Sequence, residues 1–419
     1  MKPILRALAL IFAVVMVFIC MNLAAPLIDT QDLRDHAWQG ALMLGEQEAK
    51  PQMVGGFKSA QLDNYTGVLI LKTAAHVGNE PYMQRAFGGL RVDLHTVEGE
   101  TGWKAYANYE FGELAPDGTL MHYARYWHGY LLPLRILLCV FDLANLQMLL
   151  YFAQTMLLAA VLCMMHKRRL TALIPGFFLA FFLMMPMATG VCLQYAPVTL
   201  LMLGGCLAVL CMDKGIDRAI TLPGFFALLG VVTNYLDLLT FPVLTLLFPL
   251  VMMLCLDMKA GKGLDKLLVS AFFCCAAWAV GYGCMWALKW LINCFVYGFG
   301  YLENVFTQAA LRTSTTAKYT RLDVVMRNMD VILGKKAYLI LMMLAAAATL
   351  ALTIRRGAKL NLRALCLLLP MAVPFMWYIV LANHAYDHTY FTYRTGCAAV
   401  FAGYALLAFL IAPRGEETP

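Results

Sequence analysis

The sequence predicts an all-α integral membrane protein: about ten transmembrane helices in a single unit over residues 1–419, with a large extracytoplasmic loop after the first helix. Three observations lead there. Hydrophobic residues make up 62% of the chain and charged residues 14%, with a mean hydropathy of +0.69, a balance foreign to a soluble domain of this length. Ten apolar stretches approach the length needed to cross a hydrocarbon core of roughly 30 Å. Lys and Arg gather in the turns on one side of those stretches, the pattern that sets orientation in a bilayer.

The first span, near 4–26, follows Lys2 and Arg6. Its apolar run is longer than a signal-peptide core and Asn22-Leu23-Ala24 is a poor cleavage site, so it reads as an uncleaved helix with its N-terminus inside. Residues 29–128 form the first extracytoplasmic loop; the segment from Asp29 to His128 holds 13 acidic and 8 basic residues in a chain of net charge +7. Within it, Leu62–Ala75 places apolar residues at helical spacing, while Arg91–Leu94 and Thr101–Phe111 read as short strands or turns. Tyr130–Leu143 is apolar but interrupted by Pro133 and Arg135, which suits a helix lying in the interface.

Further spans are expected near 145–165, 170–188, 193–212, 219–234, 240–257, 267–294, 337–354, 363–382 and 395–412. A second extracytoplasmic loop, 297–336, is basic: Arg312, Lys318, Arg321, Arg327, Lys335 and Lys336 stand against Glu303, Asp323 and Asp330. The opposite turns hold Lys2, Arg6, Lys167, Arg168, Arg169, Lys214, Arg218, Lys259, Lys262, Lys266, Arg355, Arg356, Lys359, Arg363 and Arg414, which is 15 of the 32 Lys and Arg. Both termini are therefore expected in the cytoplasm, and the net positive charge is a topology signal that implies no nucleic-acid partner. Thirteen cysteines include none between Cys20 and Cys139 and no Cys-x-x-Cys spacing. An exported loop without disulfides suits a bacterial plasma membrane better than an endoplasmic reticulum lumen.

Seven of the eight histidines fall on the expected outer side, and four of them lie in polar patches: Leu62–Leu69, Met121–Tyr130 and Asn383–Arg394 gather Tyr, Arg, Asp and these four His, with Asn234–Thr240 as a smaller fourth patch. Asp63 precedes an amphipathic run, where a carboxylate serves either as an N-cap or as a general base. Asp29, Asp32 and Asp35 are rival bases, but their spacing among Arg34 and His36 resembles a solvated helix start. His122, Arg125, Tyr126 and His128 form the densest polar-aromatic cluster, in which an aromatic belt explains the rings and phosphate clamping explains the cations. His384 and His388 lie four apart beside Asp387, a weak metal spacing and a better phosphate or sugar contact; Arg394 either binds phosphate or snorkels. Asp237 and Lys289 sit near hydrocarbon, where a charge is costly unless paired or functional. No Gly-rich phosphate loop, Walker lysine or Gly-x-Ser-x-Gly elbow occurs. No internal repeat of the alternating-access kind is found either.

With a first helix entering from inside, a large acid-bearing exterior loop and polar residues on the outer rim, the chain resembles the GT-C class of polytopic glycosyltransferases. It is also similar to multi-pass bacterial membrane proteins that carry segments like Leu62–Thr66 (LDNYT), Arg125–Tyr130 (RYWHGY) and the Asn383–Arg394 turn. The paired Asp-Glu often seen in the first loop of that class has no counterpart here. The resemblance implies transfer of a sugar from a polyprenyl-phosphate donor to an exported cell-envelope glycan, polymer or protein, in single-displacement fashion. It makes Asp63 the base and Arg125, His128, Lys289 and Arg394 the phosphate contacts. Asn64, Tyr65, His122, Tyr126, Asp237, His384 and His388 would shape the sugar and acceptor pocket. No cofactor is required, although a divalent cation is compatible. The alternative from another class is a transporter or flippase of lipid-linked sugars, for which Asp237 and Lys289 are the nearest intramembrane ionisable groups.

Overall fold

The computed structural model describes residues 2–94, 99–108, 118–212, 218–354 and 359–412. His95, Lys214, Arg355, Arg356, Arg414 and residues 109–111 lie outside them. The described chain is helical, and six helices are long and apolar enough to cross a membrane: Ile4–Leu27, Leu143–Lys167, Leu264–Tyr297, Lys336–Ile354, Leu362–Val380 and Thr389–Leu410. Three shorter apolar helices, Thr171–Leu183, Ala196–Cys211 and Leu222–Leu236, and the helix Leu244–Lys259 take the other four expected positions.

Burial separates centre from rim. Leu244–Lys259 is apolar on every side, and nearly all of it from Leu244 to Met258 is buried, as such a helix must be. It packs against Ala196–Cys211 and the last helix, Cys397–Leu410. Around the rim, Leu8, Phe12, Phe152, Met156, Phe272 and Met343 stay exposed, an apolar belt that only hydrocarbon would cover.

Local chemistry fixes the segment that follows the first helix. Thr30 caps Gln31–Gly45 by accepting from the Leu33 N–H, and Asp63 caps Asn64–Ala75. Leu90–Leu94 pairs antiparallel with Gly118–His122, so Arg91–Leu94 is a strand. Gly99–Asn108 is a helix, against the strand or turn its sequence suggests; Trp103, Tyr106 and Ala107 recur at helical spacing and bury against Gln31–Gly45. Leu131–Leu138 is a short helix that turns Arg135 inward and Ile136 outward. All thirteen cysteines are free thiols.

Polar turns sort to two ends. At one, Gln194 donates to the Asp63 carbonyl, His384 to that of Leu239, Arg394 to that of Met184 and Asn293 to that of Ala124. The turns around 184–195, 237–243 and 381–396 thereby meet the 29–128 segment. At the other, Arg168 donates to the Leu210 and Met212 carbonyls, Lys259 to those of Arg168 and Arg169, and Lys262 pairs with buried Asp257. The 25-residue helix Leu143–Lys167, about 37 Å long at 1.5 Å per residue, runs between the two ends.

Candidate functional site

At the end that carries the 29–128 segment lies a cleft of about 120 Å³. That is the scale of a single ring, since an engineered cavity of roughly 150 Å³ accommodates benzene. Asp63, Thr66, Tyr126, His128, Thr240, Arg312, His384, His388 and Tyr390 are among its walls, so all four sequence patches meet there and a helix of the 297–336 segment joins them. A second cavity of about 200 Å³, more apolar and lined by Met43, Met53, Leu143 and Gln147, shares Asp63 and Gln194 with the first.

Asp63 stands at that shared wall and is 3% exposed. Its Oδ1 accepts from the Thr66 N–H at 3.1 Å; its Oδ2 accepts from the Thr66 hydroxyl at 2.7 Å and the Tyr390 hydroxyl at 3.3 Å. A carboxylate offers about four lone-pair sites, so three fixed donors orient the group and leave one site for a ligand. The N-cap and cleft-lining roles thus coexist in one side chain.

The cleft histidines His128, His384 and His388 are neutral, and the tautomers of His128 and His384 follow from their partners. Arg312 Nη1 donates to His384 Nδ1 at 3.2 Å, so Nε2 carries the proton it gives to the Leu239 carbonyl at 2.7 Å. His128 gives its Nε2 proton to the Tyr123 carbonyl at 2.8 Å and accepts from the Tyr130 hydroxyl at Nδ1. Burial pushes His128 down to about 3 and His388 down to about 4, and holds His384 well below its ordinary value. His388 differs from the other two: its ring stacks on Phe391, and its buried Nδ1 has no hydrogen-bond partner among the described residues. Because both His384 nitrogens are engaged, His384 and His388 do not form a two-imidazole metal pair. Among the described residues no group of three or more His, Cys, Asp or Glu could hold a metal ion. Among the described residues, two of the four non-glycine residues with positive φ, His128 and Leu239, belong to this assembly, a concentration of backbone strain often seen where geometry is functional.

Several expected site residues serve the scaffold. Lys289, fully buried, donates to the Phe87 carbonyl and lies over the Phe87 and Trp127 rings; it ties the 34-residue helix Leu264–Tyr297 to the 29–128 segment and stands outside the cleft. Arg394 donates to the Met184, Tyr390 and Ser59 carbonyls and stacks on Tyr195. It too lies outside the cleft lining, but it anchors Tyr390, whose hydroxyl reaches Asp63. Asp237 caps its own turn through the Thr240 N–H and hydroxyl, and burial raises its pKa to about 6 against those hydrogen bonds. Asn64 bonds Gln47 and the Glu48 carbonyl and faces the second cavity, and Tyr65 packs on Trp103 and Tyr106. His122 is exposed beside the Tyr297 hydroxyl, and Arg125 reaches Asn304 and the Tyr123 ring; neither lines the cleft.

Arg312, a cation, does line it. It sits near the Tyr126 ring and His384, and among the described residues it has no carboxylate within ion-pair distance. Arg91 also lines the cleft but is neutralised by Asp93, while exposed Lys50 lies 4.9 Å from the centre of the Tyr390 ring. Gln194 adds an amide whose Oε1 is buried without a partner among the described residues. In the sequence, the excess of basic over acidic residues in 297–336 is the signal that points toward Arg312, without singling it out. Comparison with family models, with curated proteins and with solved structures gives no match to this chain.

Proposed function

We propose that the protein is a membrane glycosyltransferase of GT-C type that moves a sugar from a polyprenyl-phosphate donor to an exported cell-envelope acceptor. In this reading the chain crosses a bacterial plasma membrane ten times with both termini in the cytoplasm, and the cleft opens at the outer face. The observation that carries it is one ring-sized cleft holding an oriented carboxylate, Asp63, together with an arginine, Arg312, that no acidic side chain among the described residues neutralises.

The chemistry follows from those two groups. Asp63 takes the proton of the acceptor hydroxyl as its oxygen bonds to the anomeric carbon of the donor. The bond from that carbon to the phosphate oxygen breaks, and polyprenyl phosphate leaves carrying the electron pair. Arg312 stabilises the charge that develops on that phosphate, an interaction stronger in the transition state than in the bound donor. Neutral His384 holds Arg312 in place without repelling it, and the unused His388 Nδ1 and Gln194 Oε1 remain to bond sugar hydroxyls. The second, more apolar cavity on the other side of Asp63 offers room for a neighbouring part of donor or acceptor.

The test is release of free polyprenyl phosphate by protein in lipid nanodiscs, given short-chain polyprenyl-phosphate hexoses and pentoses with a panel of cell-wall acceptors. Acceptor-dependent release that falls at least tenfold in Arg312→Gln supports the transferase. Translocation of intact donor without release supports the flippase instead, and overturns this reading.

A further inference from the structure

Away from the cleft, a cavity of about 40 Å³ lies where the first helix ends against residues 73–90 and the short helix Leu131–Leu138. Asp29, Thr73, His76, Arg85 and Arg135 supply its polar lining. Two guanidinium groups meet there with no anion assigned to them. Asp29 pairs with Arg34 and Glu80 with His76, and among the described residues neither Arg85 nor Arg135 forms an ion pair.

Arg135 is 8% exposed. Its Nη1 donates to the carbonyls of Ala25 at 2.8 Å and Ile28 at 3.3 Å, and its Nη2 to that of His76 at 3.0 Å. Its Nε is buried without a partner, and so is the Nε of Arg85, whose guanidinium lies beside the Tyr82 ring. Burial lowers Arg135 to about 10; the Asp29 carboxylate works against that shift and Arg85 adds to it, so the two cations feel each other beside a carboxylate already paired with Arg34. A buried guanidinium beside a half-buried one, each with an Nε–H that has no partner among the described residues, is costly unless an anion accepts from them. The cavity admits about three water-sized groups, which is room for the two non-bridging oxygens of a phosphodiester.

The surroundings identify the source of that group. Leu27 is 71% exposed and Val140 69%, with Ile136 and Met83 exposed as well, so the site is flanked by apolar side chains at the end of a membrane-length helix. That is where the phosphate layer of a bilayer meets hydrocarbon. We propose that Arg85 and Arg135 form a binding site for the phosphoryl group of a membrane phospholipid, separate from the cleft and independent of its chemistry.

Thermal unfolding of the full-length protein in detergent tests this with three additions: phosphatidylglycerol, diacylglycerol with the same chains, and glycerol phosphate. Phosphatidylglycerol is expected to raise the midpoint, while the other two leave it unchanged. Arg85→Gln should keep the lipid-free midpoint and weaken phosphatidylglycerol binding by roughly tenfold or more. Arg85 carries the test because Arg135 also ties three backbone carbonyls, and Arg135→Gln is expected to lose folding. Arg85→Lys should restore part of the effect. An equal rise with diacylglycerol, an undiminished rise in Arg85→Gln, or no rise with phosphatidylglycerol overturns the site. A full rise with glycerol phosphate alone overturns the lipid source in favour of a soluble anion.

Discussion

Asp63 holds two jobs that substitution separates. Asparagine caps a helix as well as aspartate does. In Asp63→Asn the Oδ1 still accepts from the Thr66 N–H, and the new Nδ2 donates to the Thr66 and Tyr390 hydroxyls, which can reverse their roles. What is lost is the surplus of charged over neutral hydrogen bonds, partly offset by no longer burying a charge, for a net cost of about 1 kcal/mol. Asp63→Ala removes the cap, worth about 1 kcal/mol, and strands two hydroxyls at about 1–3 kcal/mol each, so it should cost about 3–7 kcal/mol. Catalysis responds differently: loss of a general base lowers turnover by about 10² to 10⁴ in both variants. Polyprenyl phosphate release in nanodiscs gives the rate, and thermal unfolding in detergent gives the stability order. Turnover in Asp63→Asn within twofold of wild type would refute Asp63 as the base and move that role to Asp29, Asp32 or Asp35. Equal destabilisation by Asn and Ala would refute the hydrogen-bond account.

Three further outcomes are expected. His128 and His388 have folded pKa values of about 3 and about 4, below an unfolded value near 6.5, so the unfolded chain takes up their protons first. Stability should be full above pH 6.5 and fall by about 1.4 kcal/mol per group for each pH unit below it, with a shallower slope in His128→Gln, as unfolding at pH 7 and pH 5 would show. Arg394→Met leaves the Met184, Tyr390 and Ser59 carbonyls without their donor and should cost about 2–5 kcal/mol by thermal unfolding; a variant as stable as wild type would contradict the anchoring role. Gly89→Ala places a Cβ at φ +56 and 2.3 Å from His128 Nε2, so it should displace His128 and lower both stability and turnover in the same two assays.

The membrane class was legible because hydropathy needs no partner to be read, and the helix after Asp63 because its cap and its apolar spacing are local. Gly99–Asn108 was not legible: its helical state is decided by packing of Trp103 and Tyr106 on a helix more than fifty residues earlier in the chain. Lys289 and Arg394 misled for a physical reason. A cation in an apolar helix signals function when cost alone is weighed. The sequence does not show the carbonyls left open by turns at Phe87, Met184 and Ser59, and those carbonyls take the charge. Arg312 was hidden by the converse, since its meaning depends on His384, 72 residues away.

Hydrogen-bond capacity left over after folding is what separates scaffold from site here. His128, His384 and Asp237 are rare polar groups in an apolar chain, yet the fold engages both nitrogens of each histidine and both carboxylate oxygens. Polar groups bound on every side rigidify the walls and cannot also bind a ligand tightly without giving something up. The fourth lone-pair site of Asp63, His388 Nδ1 and Gln194 Oε1 are different, for among the described residues each keeps hydrogen-bonding capacity without a partner, and Arg312 has no carboxylate among them. A cation, an acceptor carboxylate and two neutral hydrogen-bonding groups around one ring-sized space suit a neutral polyol joined to an anion better than either alone. A simple phosphate site would not place Asp63 in its wall, and a simple sugar site would not leave Arg312 without a carboxylate. The proposal of a phosphate-linked sugar rests on the pairing of the two.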